Sequence, residues 1–329
     1  MKALTVRRYG GPEVVTMEDM ATPEPSATEV LVRIHAALIS SSDGVSRSGT
    51  PRFARLFFGL TAPKKPVLGY EFAGVVEATG ASVTRFAVGD AVFGMSSLSG
   101  GTHAEFVAVA EDGIIARSPV GRSAVDMVAL VDGPLTAIPF LRDNAHLEAG
   151  QRILINGGSG SVGLAAIQYA KSLGAHVTAV TSTGNIALVE SAGADTVVDY
   201  THEDFTASDA QYDVVFDAIG KSSWSRCRRL LVPGGIYLTT VPSLGIAGAV
   251  LWTRVARGTR AGIAFTGLLP AAAKSRDLQE VRALAESGAF RPVIDSTYDF
   301  TDLDAVHAAH ARVATGHKTG NVVLVIGET

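Results

Sequence analysis

Hydrophobic and polar residues follow different spacings in the two halves of the chain. Before about residue 123, runs rich in branched residues, such as Val67–Thr79, are separated by turns such as Gly10-Gly11-Pro12. That spacing is typical of a small β-rich unit. Beyond it, strand-like runs alternate with helical segments, as in Ile153–Asn156 followed by Ser161–Leu173. This alternation predicts a parallel sheet covered by helices on both faces.

The last part of the chain departs from that alternation after Gly267. A helix is predicted at Lys274–Ser287, and strand-like runs follow at Val293–Phe300 and Asn321–Ile326 with the helix Leu303–Ala314 between them. The predicted fold class is α/β, a β-rich unit joined to a doubly wound parallel sheet.

Composition narrows the class of protein. The chain has 329 residues, a net charge of −4, 47% hydrophobic and 18% charged residues. These values are typical of a globular chain of about two domains. A slightly acidic balance provides no broad basic field, so we expect no nucleic-acid partner.

Cysteine usage and the chain start set the expected compartment. Cys227 is the single cysteine, so no intramolecular disulfide and no zinc site built from several thiolates can form. The charged N-terminal residues lack a signal-peptide core. The segment Leu244–Val255, which contains Arg254, is identified as the longest apolar stretch, and it falls short of the ~18 residues that a membrane span needs. We expect a soluble, cytoplasmic protein without a membrane span.

A glycine-rich loop follows the strand-like run Arg152–Asn156. Its spacing, Gly158-x-Gly160-x-x-Gly163, lies between a strand and a helix, which is the context that a dinucleotide site requires. The glycines allow a tight turn, close approach of a pyrophosphate and packing of helix on strand. The helix N-terminus, with Ser159, Ser161 and Val162 in the same loop, provides N–H groups to phosphates.

The end of the second strand bears on which nicotinamide cofactor binds. NAD sites usually place an acidic residue about 20 positions after the glycines, where it binds the ribose 2′-OH. Residues 161 to 189 contain no Asp or Glu, and Ser182 and Thr183 offer hydroxyl groups instead. The sequence therefore favours NADPH, with NADH possible.

Several further segments resemble the medium-chain dehydrogenase/reductase superfamily, close to its zinc-free quinone oxidoreductases. Their order and spacing carry the resemblance over almost the whole chain. The segments are Val67–Val76, Val88–Gly94, Leu135–Ala137, Leu188–Asp195, Phe216–Gly220, Pro233–Gly235 and Gly320–Leu324.

The resemblance implies a GroES-like catalytic domain formed by both chain ends, residues 1–124 and 268–329, with a Rossmann domain at residues 125–267. It also implies an active site in the cleft and a homodimer. Beside the glycine loop, the implied cofactor-binding residues are Thr136, Ser182, Thr183, Tyr200, Ile219 and Asn321. Two positions depart from NADPH-binding relatives, which usually carry Lys or Arg at Gly184 and often Lys at Asn321. The loss of these cations weakens the expected preference for a 2′-phosphate.

The catalytic zinc ligands of related alcohol dehydrogenases are missing. The first Cys position falls among Ser40–Asp43, and the His position is Tyr70. A catalytic zinc needs about three protein ligands, so we expect no zinc. Conjugate reduction needs less help than alcohol oxidation, because the charge of an enolate is delocalised and one or two donors can stabilise it. The expected substrate is a small hydrophobic carbonyl compound or quinone.

Hydroxyl groups at the former metal position are the candidates for substrate contact. Tyr70 ranks first, followed by Ser42 and Ser40, although a tyrosine in an apolar strand is also commonly a core residue. Asp43 is expected to cap a turn or helix, and Glu71 to pair structurally.

The histidines and two apolar stripes have simpler explanations. We expect His103 at a surface or turn, and His307, His310 and His317 in solvent. Phe53, Leu56, Phe57 and Leu60 fall on one helical face, and they either cover the cleft or only pack. The segment Leu244–Val255, with Ala249, Val250 and Trp252, either walls a pocket or packs between subunits; contact with a membrane surface is a minor alternative.

The predicted function is zinc-independent, NADPH-dependent reduction of a quinone, enone or enal. One alternative on the same scaffold is an alcohol or carbonyl dehydrogenase, or an acyl-chain enoyl reductase. Another is a non-catalytic NADPH-binding protein, since a fold does not determine an activity.

Overall fold

The computed structural model describes residues 1–96, 100–256 and 258–327. In those residues the strands β1 to β15 are, in chain order, Lys2–Val6, Val15–Asp19, Glu29–Ile39, Glu71–Thr79, Ala91–Met95, Phe106–Ala110, Ile114–Arg117, Arg152–Asn156, His176–Thr181, Thr196–Asp199, Tyr212–Asp217, Leu231–Thr239, Arg260–Ile263, Ile294–Asp299 and Asn321–Val325. The helices α1 to α10 are Ser41–Ser48, Arg55–Phe58, Ala124–Val128, Asp132–Ile138, Ser161–Ser172, Ile186–Ser191, Trp224–Cys227, Leu244–Val255, Ala271–Glu286 and Leu303–Ala314.

The chain divides into two compact units. The first comprises Met1–Asp132, Pro270–Glu286 and Pro292–Thr329, and the second Gly133–Leu269 and Ser287–Arg291. The predicted α/β class, with a β-rich unit and a parallel-sheet unit, is confirmed. Helix α3 belongs to the first unit because it packs on β3, β4 and β5. The change from strand spacing to strand–helix alternation, at about residue 123, comes before this helix.

The first unit is built around β3. A seven-stranded sheet has the order β14-β15-β3-β4-β5-β7, with β6 also paired to β3, and β1 and β2 form a separate hairpin. The alternating positions Val30, Val32 and Ile34 of β3 are buried in one apolar cluster together with Phe72 and Val92. Every second residue in this part of the strand therefore faces the hydrophobic core.

The second unit is a parallel sheet with the order β10-β9-β8-β11-β12-β13. In β8, the consecutive residues Ile153, Leu154 and Ile155 are all buried, as expected for a strand covered on both faces. The strand order reverses between β8 and β11, and ligands of such sheets bind beyond the carboxyl ends of the strands at this point. The loop after β8 therefore lies where a dinucleotide site belongs.

The predicted solvent position of His310 is wrong, and His103, which was expected at a surface or turn, lies at a bend that is buried. Both imidazoles are buried, with 0% and 2% exposure, and their rings meet edge to face with centroids 6.1 Å apart. His310 lies on the buried face of α10 with Val306, Ala309 and Val313, so the i, i+3, i+4, i+7 pattern placed it in the core. His317 is exposed as predicted, whereas His307 is half-buried and its Nε2 lies 2.9 Å from the Val15 carbonyl oxygen.

The apolar stretches also differ from expectation. The predicted helical face through Leu60 is interrupted, because α2 ends at Phe58 and Gly59 has φ +133°. A side chain at Gly59 would meet the Ala62 carbonyl oxygen at 2.0 Å. The run Ala124–Ala145 is longer than Leu244–Val255 and is apolar enough to cross a membrane by length and composition, but 72% of its most apolar window is buried inside the structure. Burial of this kind is typical of a core helix.

Candidate cofactor and substrate sites

The glycine loop makes a tight turn between β8 and α5. Gly157 adopts φ +84°, and the N–H groups of Gly157 and Gly158 donate to the Val180 carbonyl at 3.2 and 3.0 Å. A Cβ at Gly163 would lie 2.1 Å from the Gly157 carbonyl oxygen, so helix and loop pack too closely for any side chain. The motif spacing identified Gly163, but only the backbone conformation shows that Gly157 is also required.

Gly160 differs from its neighbours in a way that points to a ligand. The nearest atom to a Cβ there is 3.6 Å away, and its φ of −76° suits any residue. Packing therefore does not require glycine at this position, whereas close approach of a pyrophosphate does. Gly160 caps α5, whose first N–H groups have no partner within the helix. The loop, including Ser159, Ser161 and Val162, fits a dinucleotide.

A buried carboxylate organises the other side of this loop. Asp217, at the end of β11, accepts hydrogen bonds from Asn156 Nδ2 and Tyr237 Oη, each at 2.9 Å, and from the Ser222 N–H at 2.7 Å. These bonds hold the turn that carries Ile219, whose Cγ2 would lie 2.5 Å from a Cβ on Gly157. Ile219 is 45% exposed at the loop surface.

The residues after β9 are tied to the glycine loop. Asn185 Nδ2 donates to Ser159 Oγ and Ser182 Oγ, both at 3.2 Å. The Tyr200 N–H donates to the Thr181 carbonyl at 3.0 Å, and the tyrosine side chain is 53% exposed. The structure therefore brings Ser182 and Tyr200 to the same sheet edge as the glycines, and adds Asn185, which the sequence analysis did not identify.

A carboxylate that was not expected lies at this edge. Asp199, at the end of β10, accepts a hydrogen bond from the Thr183 hydroxyl at 2.5 Å. Rossmann sites usually carry the acidic residue that binds the ribose at the end of the second strand, whereas residues 161 to 189 of this chain contain none. Pairing of β10 with β9 sets Asp199 opposite Thr181. The structure thus places a carboxylate beside Thr183 that the sequence analysis did not identify.

Two other residues that were predicted to bind the cofactor lie in different units. Thr136 is half-buried in α4 of the second unit. Asn321 belongs to the first unit, where its Nδ2 donates to the carbonyls of Ala129 and Val293 at 3.0 and 3.1 Å. Asn321 thereby connects β15 to the segments around those carbonyls, a structural role within the first unit.

Tyr70 lies at a cavity of about 200 Å³ in the first unit. Phe57 and Phe58 line the same cavity, as do Ser46 and Lys64. Burial, with the nearby carboxylate of Asp43, raises the pKa of the Tyr70 phenol, and Ser46 is in hydrogen-bond contact with it. The phenol therefore keeps its proton at neutral pH and can act as a donor.

The serines before Tyr70 divide into two roles. Ser40 caps α1, and both its N–H and its hydroxyl donate to Asp43 Oδ2, at 2.8 and 3.0 Å. Asp43 Oδ1 accepts from the Gly69 N–H at 3.0 Å, so the expected cap also ties α1 to the residue before Tyr70. Ser42 is exposed on the first turn of α1. Of the two serines predicted to contact the substrate, Ser40 uses its hydroxyl in the helix cap.

Glu71 is buried directly beside the candidate tyrosine. It is 1% exposed, and burial together with the carboxylates of Asp132 and Asp43 raises the pKa of its carboxyl group well above the usual value. Among the residues that the structure describes, its Oε2 has no hydrogen-bond partner. Lys274 is a charged neighbour that acts in the opposite direction.

The two apolar segments have different surroundings. Phe53, Leu56 and Leu60 are 58%, 68% and 69% exposed, and Phe57 contributes to the Tyr70 cavity. On α8, Ala249 and Trp252 line a second cavity of about 330 Å³ within the Rossmann unit. The opposite face of that helix is exposed.

Candidate metal ligands in the structure are its His, Cys, Asp and Glu side chains. Over residues 1–96, 100–256 and 258–327, no group of three or more His, Cys, Asp or Glu side chains is placed to hold a metal ion. Cys227 is buried, with its Sγ 3.1 Å from Ser222 Oγ.

Two family models match the chain. The alcohol dehydrogenase GroES-like domain matches residues 26–119, and the zinc-binding dehydrogenase model matches residues 192–324.

Full-length relatives agree with these matches. A quinone oxidoreductase of Sus scrofa is 31% identical over 96% of both chains. An NADPH-dependent alkenal/one oxidoreductase (chloroplastic) of Arabidopsis thaliana is 32% identical over 98% of this chain and 79% of its own length. The solved quinone oxidoreductase of Coxiella burnetii superposes with a TM-score of 0.85 and 26% identity, covering 99% of both chains. With the dinucleotide loop described above, these similarities establish that the chain belongs to the medium-chain dehydrogenase/reductase superfamily, in its quinone oxidoreductase-like group, and is an NAD(P)H-dependent oxidoreductase.

Proposed function

We propose that the protein is a zinc-independent reductase that transfers hydride from NADPH to a quinone or an α,β-unsaturated carbonyl compound. The observation that carries the proposal is the cavity beside Tyr70, where a protonated phenol stands at the former metal-ligand position among aromatic side chains. Relatives named as quinone and alkenal/one oxidoreductases support the same substrate class.

The roles of the chain's own residues follow from their chemistry. The bound nicotinamide supplies a hydride for the β-carbon of the substrate. A hydrogen bond from Tyr70 to the substrate oxygen strengthens as enolate charge develops there. The glycine loop and the N-terminus of α5 bind the pyrophosphate. A proton from solvent completes the reduction, at the α-carbon of an enone or enal and at an oxygen of a quinone.

NADPH is the proposed cofactor, and NADH is accepted as well. Ser182 and Tyr200 lie at the sheet edge after β9, where Rossmann domains read the ribose 2′-position, and the name of the Arabidopsis thaliana relative includes NADPH. The Thr183 hydroxyl supports binding of a 2′-phosphate less than the sequence suggested, because it donates its hydrogen to Asp199.

A panel of oxidants tests the function. NADPH oxidation is measured with a quinone, an enone, an enal, an aldehyde and, in the reverse direction, a secondary alcohol. Turnover of the quinone or enone, unchanged after chelation and without stoichiometric metal by elemental analysis, is the expected result. Turnover restricted to the aldehyde and alcohol would instead indicate a carbonyl dehydrogenase. Tight NADPH binding without turnover of any compound would indicate a binding protein.

We also propose a homodimer that forms through the β13 end of the parallel sheet. In the described strands β13 pairs with β12 on one side only, and Leu251 and Val255 of the neighbouring α8 are 65% and 81% exposed. An unpaired strand edge beside exposed apolar residues favours pairing with a second copy.

The mass in solution tests this assembly. The expected mass is twice 34.1 kDa by light scattering, and the double variant Leu251→Asp, Val255→Asp should be monomeric. Val120→Asp, at an exposed apolar residue of the first unit, is the control and should stay dimeric. A monomeric wild type would contradict the proposal.

A further inference from the structure

Three side chains form a closed hydrogen-bonded group at the carboxyl edge of β9 and β10. The Thr183 hydroxyl donates to Asp199 Oδ2 at 2.5 Å, and the Thr201 hydroxyl donates to Asp199 Oδ1 at 2.7 Å. The two threonine oxygens are 3.1 Å apart. Because each hydroxyl has one hydrogen, both threonines present acceptor lone pairs to a ligand rather than donors.

The charge at this group is negative and largely uncompensated. Hydrogen bonds from Thr183 and Thr201 lower the pKa of Asp199, so its carboxylate is ionised at neutral pH. Within the described residues, the basic group near it is the imidazole of His202, 3.8 Å away and 75% exposed. An exposed pair of this kind contributes little.

The group lies where the adenosine ribose of a dinucleotide is recognised. Thr183 directly follows Ser182, which Asn185 ties to Ser159 of the glycine loop. In Rossmann domains the ribose 2′-position is read at the end of the second strand, which here is β9. Asp199 therefore supplies a carboxylate to this position from the third strand.

We propose that Asp199 is a specificity-determining residue, which acts partly through Thr183 to favour a ribose 2′-hydroxyl over a 2′-phosphate. The inference rests on the proposed nicotinamide site and deepens it. A 2′-hydroxyl donates to the oxygen of Thr183, whereas a phosphate finds no hydrogen there and is repelled by the carboxylate. Asp199 thus reduces the preference for NADPH over NADH that Ser182 and Tyr200 provide.

The test compares dissociation constants of NADPH and NADH, measured by fluorescence titration, for the wild type and three variants. Asp199→Asn removes the charge and keeps the shape, and should tighten NADPH about tenfold while NADH changes less than about threefold. Thr183→Val removes the acceptor and should weaken NADH more than NADPH. Asp209→Asn, at an exposed residue before β11, removes the same charge elsewhere and should leave both constants unchanged.

Binding of the fragments 2′,5′-ADP and 5′-AMP shows whether the phosphate itself is read. Asp199→Asn should improve the first fragment relative to the second. If Asp199 only stabilises the turn to Thr201, the variant will lower the melting temperature with no change in the NADPH/NADH ratio, and the inference is overturned. Absence of binding of either cofactor to the wild type would overturn the proposed function instead.

Discussion

At the residue scale, the candidate sites depend on where hydrogens and charges are held. Burial raises the pKa of the Tyr70 phenol, so this side chain retains a proton to donate. Hydrogen bonds lower the pKa of Asp199, so that side chain retains its charge. The sequence does not show the protonation state of either residue. Their surroundings make Tyr70 a hydrogen-bond donor toward negative charge and make Asp199 a negative charge itself.

Tyr70→Phe separates a role in the reaction from a role in packing. The aromatic ring and its packing remain, so NADPH affinity and melting temperature should change little. The hydride-transfer rate in single-turnover experiments should fall, by less than the 2.7–4 kcal/mol that the loss of one donor costs in well-studied oxyanion sites, because other donors can share the charge. Tyr212→Phe, at a buried tyrosine of the Rossmann unit, is the control. An unchanged transfer rate with a lowered melting temperature would make Tyr70 a core residue.

Gly184→Arg should strengthen the preference for NADPH. A Cβ at Gly184 meets no atom within 4 Å and the residue is exposed, so the longer side chain can be accommodated. A guanidinium beside a 2′-phosphate forms charge-assisted hydrogen bonds worth roughly 1–3 kcal/mol. Titration calorimetry with both cofactors measures the change. Gly184→Ala, which adds bulk without charge, should leave the ratio of the two constants as in the wild type; a shift as large as that of arginine would rule out the charge as the cause.

At the element scale, the turn from β8 into α5 separates glycines required by the fold from a glycine required by the ligand. Gly163 lies against the backbone of Gly157, while a Cβ at Gly160 would make only an ordinary contact, 3.6 Å from the Gly157 carbonyl oxygen. Helix packing requires glycine at position 163, whereas close approach of a phosphate requires glycine at position 160.

The variants Gly163→Ala and Gly160→Ala should therefore behave differently. The first forces a Cβ to within 2.1 Å of a carbonyl oxygen and should lower stability toward the upper end of the range of about 1–3 kcal/mol for overpacking. The second should keep the wild-type melting temperature and weaken cofactor binding. Thermal unfolding with and without NADPH measures both effects. A Gly160→Ala protein with unaltered cofactor affinity would show that the pyrophosphate does not approach there.

At the scale of the whole molecule, buried ionisable groups couple stability to pH. His310 on α10 faces His103 and the guanidinium of Arg47 from α1, and His307 lies on its own helix. Burial, together with these neighbouring groups, lowers the pKa of His310 well below 6.5. The raised pKa of Glu71 has the opposite effect, because a folded state that binds the proton more tightly loses stability as pH rises.

Replacement of His310 isolates its contribution. Since the unfolded state takes up a proton below about pH 6.5 and the folded state does not, wild-type stability should decrease with acidification by up to about 1.4 kcal/mol per pH unit from this group. His310→Gln should be less stable at pH 7.5 but lose less stability between pH 7.5 and pH 5. Denaturant unfolding at both pH values gives the two slopes, and the contribution of Glu71 cancels in their difference. Parallel slopes would assign the acid sensitivity to other groups.

The sequence by itself determined the fold class and the dinucleotide loop. Both depend on spacing along the chain: branched residues at strand intervals, helices between them, and glycines at 158, 160 and 163. Such local patterns act within a few residues of each other and can therefore be identified without the rest of the molecule. The bounds of α10 follow from the same periodicity.

Only the tertiary structure decided which distant residues share a site. The parallel pairing of β10 with β9 sets Asp199 beside Thr183, sixteen positions away and outside the usual window for the ribose acid. Packing also buried His310 against His103 and engaged Ser40 in a cap with Asp43. Hydrogen-bond direction, burial and pKa arise from atoms that the fold brings together, so a linear pattern does not contain them.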